Sequence, residues 1–162
     1  MAEQISARTV SEAGFTLVEL VVVIVIIGVL SSFAMPRFFD STAFSERGYY
    51  EELAAALKFA QSKAVATGCP VRFVLGVADY SAEQQQPVGG RCNPADTSWS
   101  QPVLLADGST VSGSAPDGVN ASQAVTIVFD ALGATGLGGN EVISIGPYSL
   151  TIHAASGYVE TS

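Results

Sequence analysis

The chain has 162 residues, of which 48% are apolar and only 14% charged, enough for one domain with a core and incompatible with a disordered tail. Seven basic against fifteen acidic residues leave a formal net charge of −8, which argues against a general nucleic-acid binder because phosphate binding needs a cationic surface. Two cysteines are too few for a disulfide scaffold and enough for one staple.

Phe15 to Met35 is a run of 21 residues whose single charge is Glu19. As a helix rising about 1.5 Å per residue it reaches roughly 30 Å, the thickness of a bilayer's hydrocarbon core. β-branched residues dominate Val21 to Ile27 and would favour a strand in water. No polar alternation accompanies them, and in lipid a helix is the only single-segment solution. The expectation is a transmembrane helix over 15–35. A cleaved secretory signal would need a basic start, whereas Met1 to Gly14 sets Glu3 and Glu12 against Arg8. An unpaired Glu19 costs roughly 2.5–3.5 kcal/mol on insertion scales, so it needs a partner, a proton or a position near the interface.

After Pro36 the pattern becomes amphipathic. Phe44, Leu53, Ala56, Leu57, Ala60 and Ala64 are read as one helical stripe, with Glu46, Arg47, Glu51, Glu52, Lys58, Gln61 and Lys63 on other faces. Gly68 suits the position after the helix, Pro70 forbids continuation, and Gly48 is a point where the helix would bend or break. Tyr49 and Tyr50 are read as packing residues in preference to a ligand-binding pair.

From Val71 the period switches to two. Strands are expected at Val71 to Leu75, Val103 to Leu105, Ala124 to Phe129, Val142 to Ile145, Tyr148 to His153 and Tyr158 to Glu160. Asp79 to Trp99 and Asp107 to Ala121, rich in Gly, Pro, Ser, Asn and Gln, are expected to be irregular loops. The class is α+β, a small antiparallel sheet packed on a helix. Neither Pro87-Val88-Gly89-Gly90 nor the glycines from Gly133 to Gly139 match a phosphate loop.

The residues Gly14-Phe15-Thr16-Leu17-Val18-Glu19, with the apolar run behind them, Gly28 mid-run and Pro36 beyond it, resemble the type IV prepilin signature. Val125 to Asp130 with Gly133-Ala134-Thr135, and Leu150 to His153 with Gly157-Tyr158-Val159, resemble the GspH/FimT-type branch of minor pilins and pseudopilins. Pro36-Arg37-Phe38-Phe39 and Glu51 to Gln61 are similar to minor pilins of mannose-sensitive haemagglutinin (MSHA) pili. The resemblance implies a type IV pilin fold, with a leader at 1–14, a membrane and assembly helix at 15–35, an amphipathic helix at 36–68 and a β-rich head at 69–162. It implies cleavage between Gly14 and Phe15 by a prepilin peptidase and N-methylation of Phe15. Gly28 and Pro36 would be helix-kink positions. Other pilin subunits and an inner-membrane assembly platform would be the partners. The protein would first sit single-pass in the inner membrane with a periplasmic head, and then in a pilus or pseudopilus. Runner-up roles are a type II secretion pseudopilin and a DNA-uptake minor pilin. Arg37 to Ser162 holds 6 basic and 12 acidic residues, so nucleic acid is a disfavoured partner.

Cleavage would create a cationic amine on Phe15, at i and i+4 from Glu19, and two charges in lipid are less costly as a pair. Between neighbouring subunits that pair would set axial register, which makes Glu19 an assembly residue. With the head outside the cytoplasm, Cys69 and Cys92 are expected to bridge, two free buried thiols being the alternative. No catalytic residue, cofactor or metal site is expected: His153 has neither a nucleophile elbow nor a ligand cluster around it in sequence. Asp107-Gly108 and Asp117-Gly118 are read as turns in preference to a calcium site, and Trp99 as a side chain tucked over the sheet in preference to an adhesive contact.

Overall fold

A computed structural model describes residues 14–34, 41–89, 91–93, 95 and 97–162, which fall into two compact units, 1–40 and 41–162. The leader positions 1–13 and the expected kink at Pro36 lie outside the described residues.

The first unit contains α1 (Leu17–Ala34). It begins where it does because Thr16 caps it: the threonine Oγ1 accepts a hydrogen bond from the Glu19 backbone N–H at 3.2 Å. Thr16-Leu17-Val18-Glu19 has the spacing of a capping box. The helix thus starts two residues later than the expected 15–35 span. Its 18 residues rise about 27 Å, and among the described residues no helix is long and apolar enough to cross a membrane. Every large apolar side chain from Phe15 to Leu30 is at least 43% exposed within the chain. The helix is apolar all round and has no inward stripe. Gly28 lies within its continuous run. Ser31 donates its hydroxyl to the Ile27 carbonyl at 2.7 Å, satisfying it inside the helix.

The second unit contains α2 (Ser41–Thr67), then β1 (Val71–Leu75), β2 (Asp79–Gln84), β3 (Pro87–Val88), β4 (Arg91–Cys92), β5 (Gln101–Pro102), β6 (Ser112–Ser114), β7 (Val125–Phe129), β8 (Glu141–Ile145), β9 (Tyr148–Ile152) and β10 (Val159–Thr161). The α2 helix runs through Gly48 without a break. Gly68 ends it at φ 64°, a left-handed position that glycine occupies without strain. Tyr49, Leu53, Leu57, Ala60 and Ala64 are buried. Phe44, expected in the same stripe, is 83% exposed. At about 100° per residue it lies roughly 180° around the helix from Leu53, so that assignment is corrected.

The single expected sheet resolves into three among the described residues. In the largest, β1 is central between β2 and β7, and β5 and β6 share the outer edge of β2. A second sheet has the order β10-β9-β8, and β3 with β4 forms a small hairpin. All pairings are antiparallel. Strand β2 falls in a segment expected to be loop. Its inward positions are Tyr80, Ala82 and Gln84, so only one large apolar side chain marked the alternation. Conversely, Val103 to Leu105 is not a strand. Val103 donates its N–H to Ala82 and accepts one from Val111, and the chain then turns through Asp107 and Gly108.

The α2 stripe packs against Val71, Phe73 and Leu75 of β1, Ile127 and Phe129 of β7, and Ile143, Ile145, Leu150, Ile152 and Val159 of the second sheet. Each such side chain removed from water contributes about 1.5–3 kcal/mol. The helix is therefore the shared floor of both sheets. Gln84, the one buried polar residue among the described residues, donates its amide to Thr67 Oγ1 at 2.5 Å and ties β2 to the end of α2.

Candidate functional site

The first candidate site is the start of α1. Gly14, Phe15 and Thr16 precede the first helical turn in exposed, non-helical backbone, and Glu19 stands in that turn. A carboxylate there meets the positive end of the helix dipole, which offsets part of its desolvation cost. Phe15 lies outside the helix, so the i, i+4 relation to Glu19 is one of sequence spacing in this chain as described.

In the second unit, Cys69 and Cys92 form a disulfide with Cα atoms 5.3 Å apart. It fastens the β3–β4 hairpin to the turn that follows α2. Trp99, further along the same segment, has φ 51° and is the one described non-glycine residue with positive φ. The Arg72 guanidinium stands over its ring, 5.3 Å from the centroid. Nε and Nη2 of Arg72 both donate to Glu83 Oε2 on the adjacent strand. Trp99 thus lies over Arg72 of β1.

His153 is satisfied on both ring nitrogens, with Nε2 2.9 Å from Glu160 and Nδ1 3.3 Å from the Asn140 amide. Among the described residues no group of three or more His, Cys, Asp or Glu side chains converges. Asp107 accepts from both the N–H and the hydroxyl of Ser109 at 2.9 and 2.6 Å, and these bonds hold its carboxyl below the usual carboxylate range. Tyr50 packs against Tyr148 with ring centroids 5.1 Å apart. The Tyr80 hydroxyl donates to Glu52 at 2.6 Å; burial first, and the carboxylate second, push its phenol up. Tyr49 is raised chiefly by burial, and its hydroxyl is buried without a hydrogen-bond partner among the described groups.

Sequence reasoning missed the Arg72–Glu83–Trp99 cluster and Gln61, whose amide donates to the carbonyls of Gly133 at 3.0 Å and Ser156 at 2.9 Å. The partners of Gln61 are 72 and 95 residues away, and no local pattern signals them.

The family model for the prokaryotic N-terminal methylation motif matches residues 10–35, the segment that holds Gly14, Phe15 and Glu19. The model for the type II transport protein GspH matches residues 50–158, most of α2 and the sheets. The chain belongs to the GspH family. This GspH-family protein is a type IV pilin-like minor pilin or pseudopilin, a structural class and not an enzyme class. It is 46% identical over 59 residues to the type IV narrow pilus major component PilA5 of Thermus thermophilus. That match covers 35% of this chain and 51% of the relative, so the chain spans about half the length of that protein. It is also similar to the crystal structure of the type IV minor pilin FimU of Pseudomonas aeruginosa, at 15% identity and a TM-score of 0.47. That likeness covers 72% of this chain and 91% of the other.

Proposed function

We propose that this GspH-family chain is a minor pilin of the MSHA type that joins a pilus by its N-terminal helix and helps initiate or stabilise the fibre and its adhesion. The observation that carries the reading is a lone carboxylate, Glu19, in the first turn of a helix that is otherwise apolar all round, directly behind Gly14-Phe15. Prepilin peptidase cuts between Gly14 and Phe15, and the new amine is methylated. Residues 15–35 then hold the protein in the inner membrane, head in the periplasm, until the assembly platform passes it to the filament. In that filament the Phe15 amine of one subunit pairs with Glu19 of a neighbour, since each charge is costly in lipid alone. Gly28 and Pro36 let the rod bend as it packs. The likeness of Glu51 to Gln61 to MSHA minor pilins supports the choice of pilus.

The test is Glu19→Ala. Cleavage and membrane insertion persist while recovery in sheared pili falls; unchanged recovery refutes the pairing. Intact mass of the mature protein reads loss of the leader and methylation together.

The match of residues 50–158 to the GspH model favours a second reading, a type II secretion pseudopilin. Deleting each apparatus in turn separates the two: the protein leaves sheared material only when its own machine is lost. The DNA-uptake reading is disfavoured by the acidic head, and salt-sensitive gel shifts at micromolar protein would restore it.

A further inference from the structure

Two adjoining grooves on the flank of α2 form one continuous trough. The first, about 620 Å³, has Glu52 as its one charged lining residue. The second, about 400 Å³, has Lys63, and both are lined by Phe59 and Leu105. Ala55, Phe59, Ser62 and Ala66 follow Glu52 at helical spacing and make the α2 side of the trough. Leu104 and Leu105, 44% and 40% exposed, line it from the segment 103–111.

The Tyr80 hydroxyl donates to Glu52 Oε1 at 2.6 Å, and Gly113 leaves this pair its room, since a side chain there would meet both residues. Among the described residues neither Glu52 nor Lys63 forms an ion pair. From Glu52 to Lys63 the helix climbs about 16 Å, at about 1.5 Å per residue. The trough is therefore acidic at one end, basic at the other and mostly apolar between.

Its occupant has to satisfy its own backbone. Val103, Leu105 and Val111 give their N–H groups to the carbonyls of Ala82, Ser109 and Val103, and the α2 backbone is bonded within the helix. An extended segment laid here would leave N–H and C=O groups against apolar side chains, whereas a helix closes its own. Small side chains at Ala55, Ser62 and Ala66 let a helix come close. The α2 of a second copy does not fit, because its matching stripe lies at the side of the same trough, behind its own 103–111 segment. Nor does α1, which carries no cation for Glu52.

We propose that this trough docks one amphipathic helix of a different protein, with a cation against Glu52, an acid against Lys63 and apolar residues over Phe59 and Leu105. An acid near the N-terminal end and a cation near the C-terminal end suit the helix dipole, so that helix lies antiparallel to α2. The surface is complete within residues 41–162 and stands whether or not the filament reading does.

The test uses the full-length protein in lipid nanodiscs and a labelled, end-blocked peptide of roughly 18 residues. The peptide carries a glutamate and a lysine separated by about 16 Å of helix, an alanine–leucine stripe between them and glutamine elsewhere. Fluorescence anisotropy is expected to show saturable, salt-sensitive binding, about fivefold tighter than for a peptide with lysine at both charged positions. Lys63→Glu leaves the Glu52–Tyr80 bond in place and reverses that preference. Leu105→Lys, at an exposed position, keeps the thermal midpoint and weakens binding about tenfold or more. A version of the peptide interrupted by proline, unable to form the helix, does not bind. Absent binding, equal affinity for the two charge patterns, an unchanged preference in Lys63→Glu or full binding of the proline version overturns the proposal. So does a concentration-dependent dimer of the protein alone that Leu105→Lys dissolves, which gives the trough to a second copy.

Discussion

Removing the disulfide by Cys69→Ala with Cys92→Ala tests how much of the head's stability comes from chain connectivity. The bridge spans a sequence separation of 23 residues. The chain-entropy model values a loop of that size at about 3.5 kcal/mol, supplied by restricting the unfolded state. Spread over a cooperative unit of the size of 41–162, that corresponds to a drop of about 10–15 °C in thermal midpoint. The bridged loop carries β1 and β2, whose side chains pack in the core against α2, but neither cysteine belongs to that core cluster, so the variant folds at 25 °C with its far-UV spectrum intact. Thermal unfolding of the full-length protein in detergent, followed by circular dichroism with and without reductant, is the assay. Reductant lowers the wild-type midpoint to that of the variant and leaves the variant unmoved. A fall of under about 4 °C, or a reductant effect that persists in the variant, refutes the connectivity argument.

Leu57→Ala, at a fully buried position of α2 facing both sheets, costs about 3–5 kcal/mol by urea denaturation of the full chain; a loss under about 1 kcal/mol would mean that the two sheets do not share this floor. Gly157→Ala places a methyl against the Gly133 carbonyl at φ 67° and lowers stability by about 2 kcal/mol or more, whereas an unchanged midpoint would show that the turn is not tight. Gln61→Leu strips two carbonyls of their donor and costs about 1–3 kcal/mol, with faster hydrogen exchange at the Gly133 and Gly157 turns as its mark. Asp107 has its carboxyl pKa depressed by Ser109, so its contribution is present above the ordinary carboxylate value and is lost as pH falls through the depressed one. The Ser109 amide resonance reports this by moving with a midpoint below the ordinary carboxylate value.

Continuity along the chain decided what was legible. The apolar run behind Gly14 carries its whole message in adjacent residues, whereas the Thr16–Glu19 cap that sets the helix start went unread. The end of α2 at Gly68, and the strands at 71–75, 125–129, 141–145 and 148–152, also show in local patterns, since alternating large apolar residues mark a buried face. Where inward residues are small or polar, as in Tyr80-Ser81-Ala82-Glu83-Gln84, the alternation has no hydrophobic contrast, and the strand exists because β1 offers it a complete ladder. Phe44 shows the opposite error: an apolar residue in a helix is core only if its phase points inward.

Sequence alone determined the rod, its solitary charge and the α+β class, because hydrophobic period and local capping are properties of neighbouring residues. Tertiary structure decided the rest: the division into three sheets, the burial of Gln84, the grip of Gln61 on two distant turns and the seating of Trp99 on Arg72. Those depend on which groups the folded chain brings within a few ångströms, and no short-range pattern encodes contacts between residues tens of positions apart.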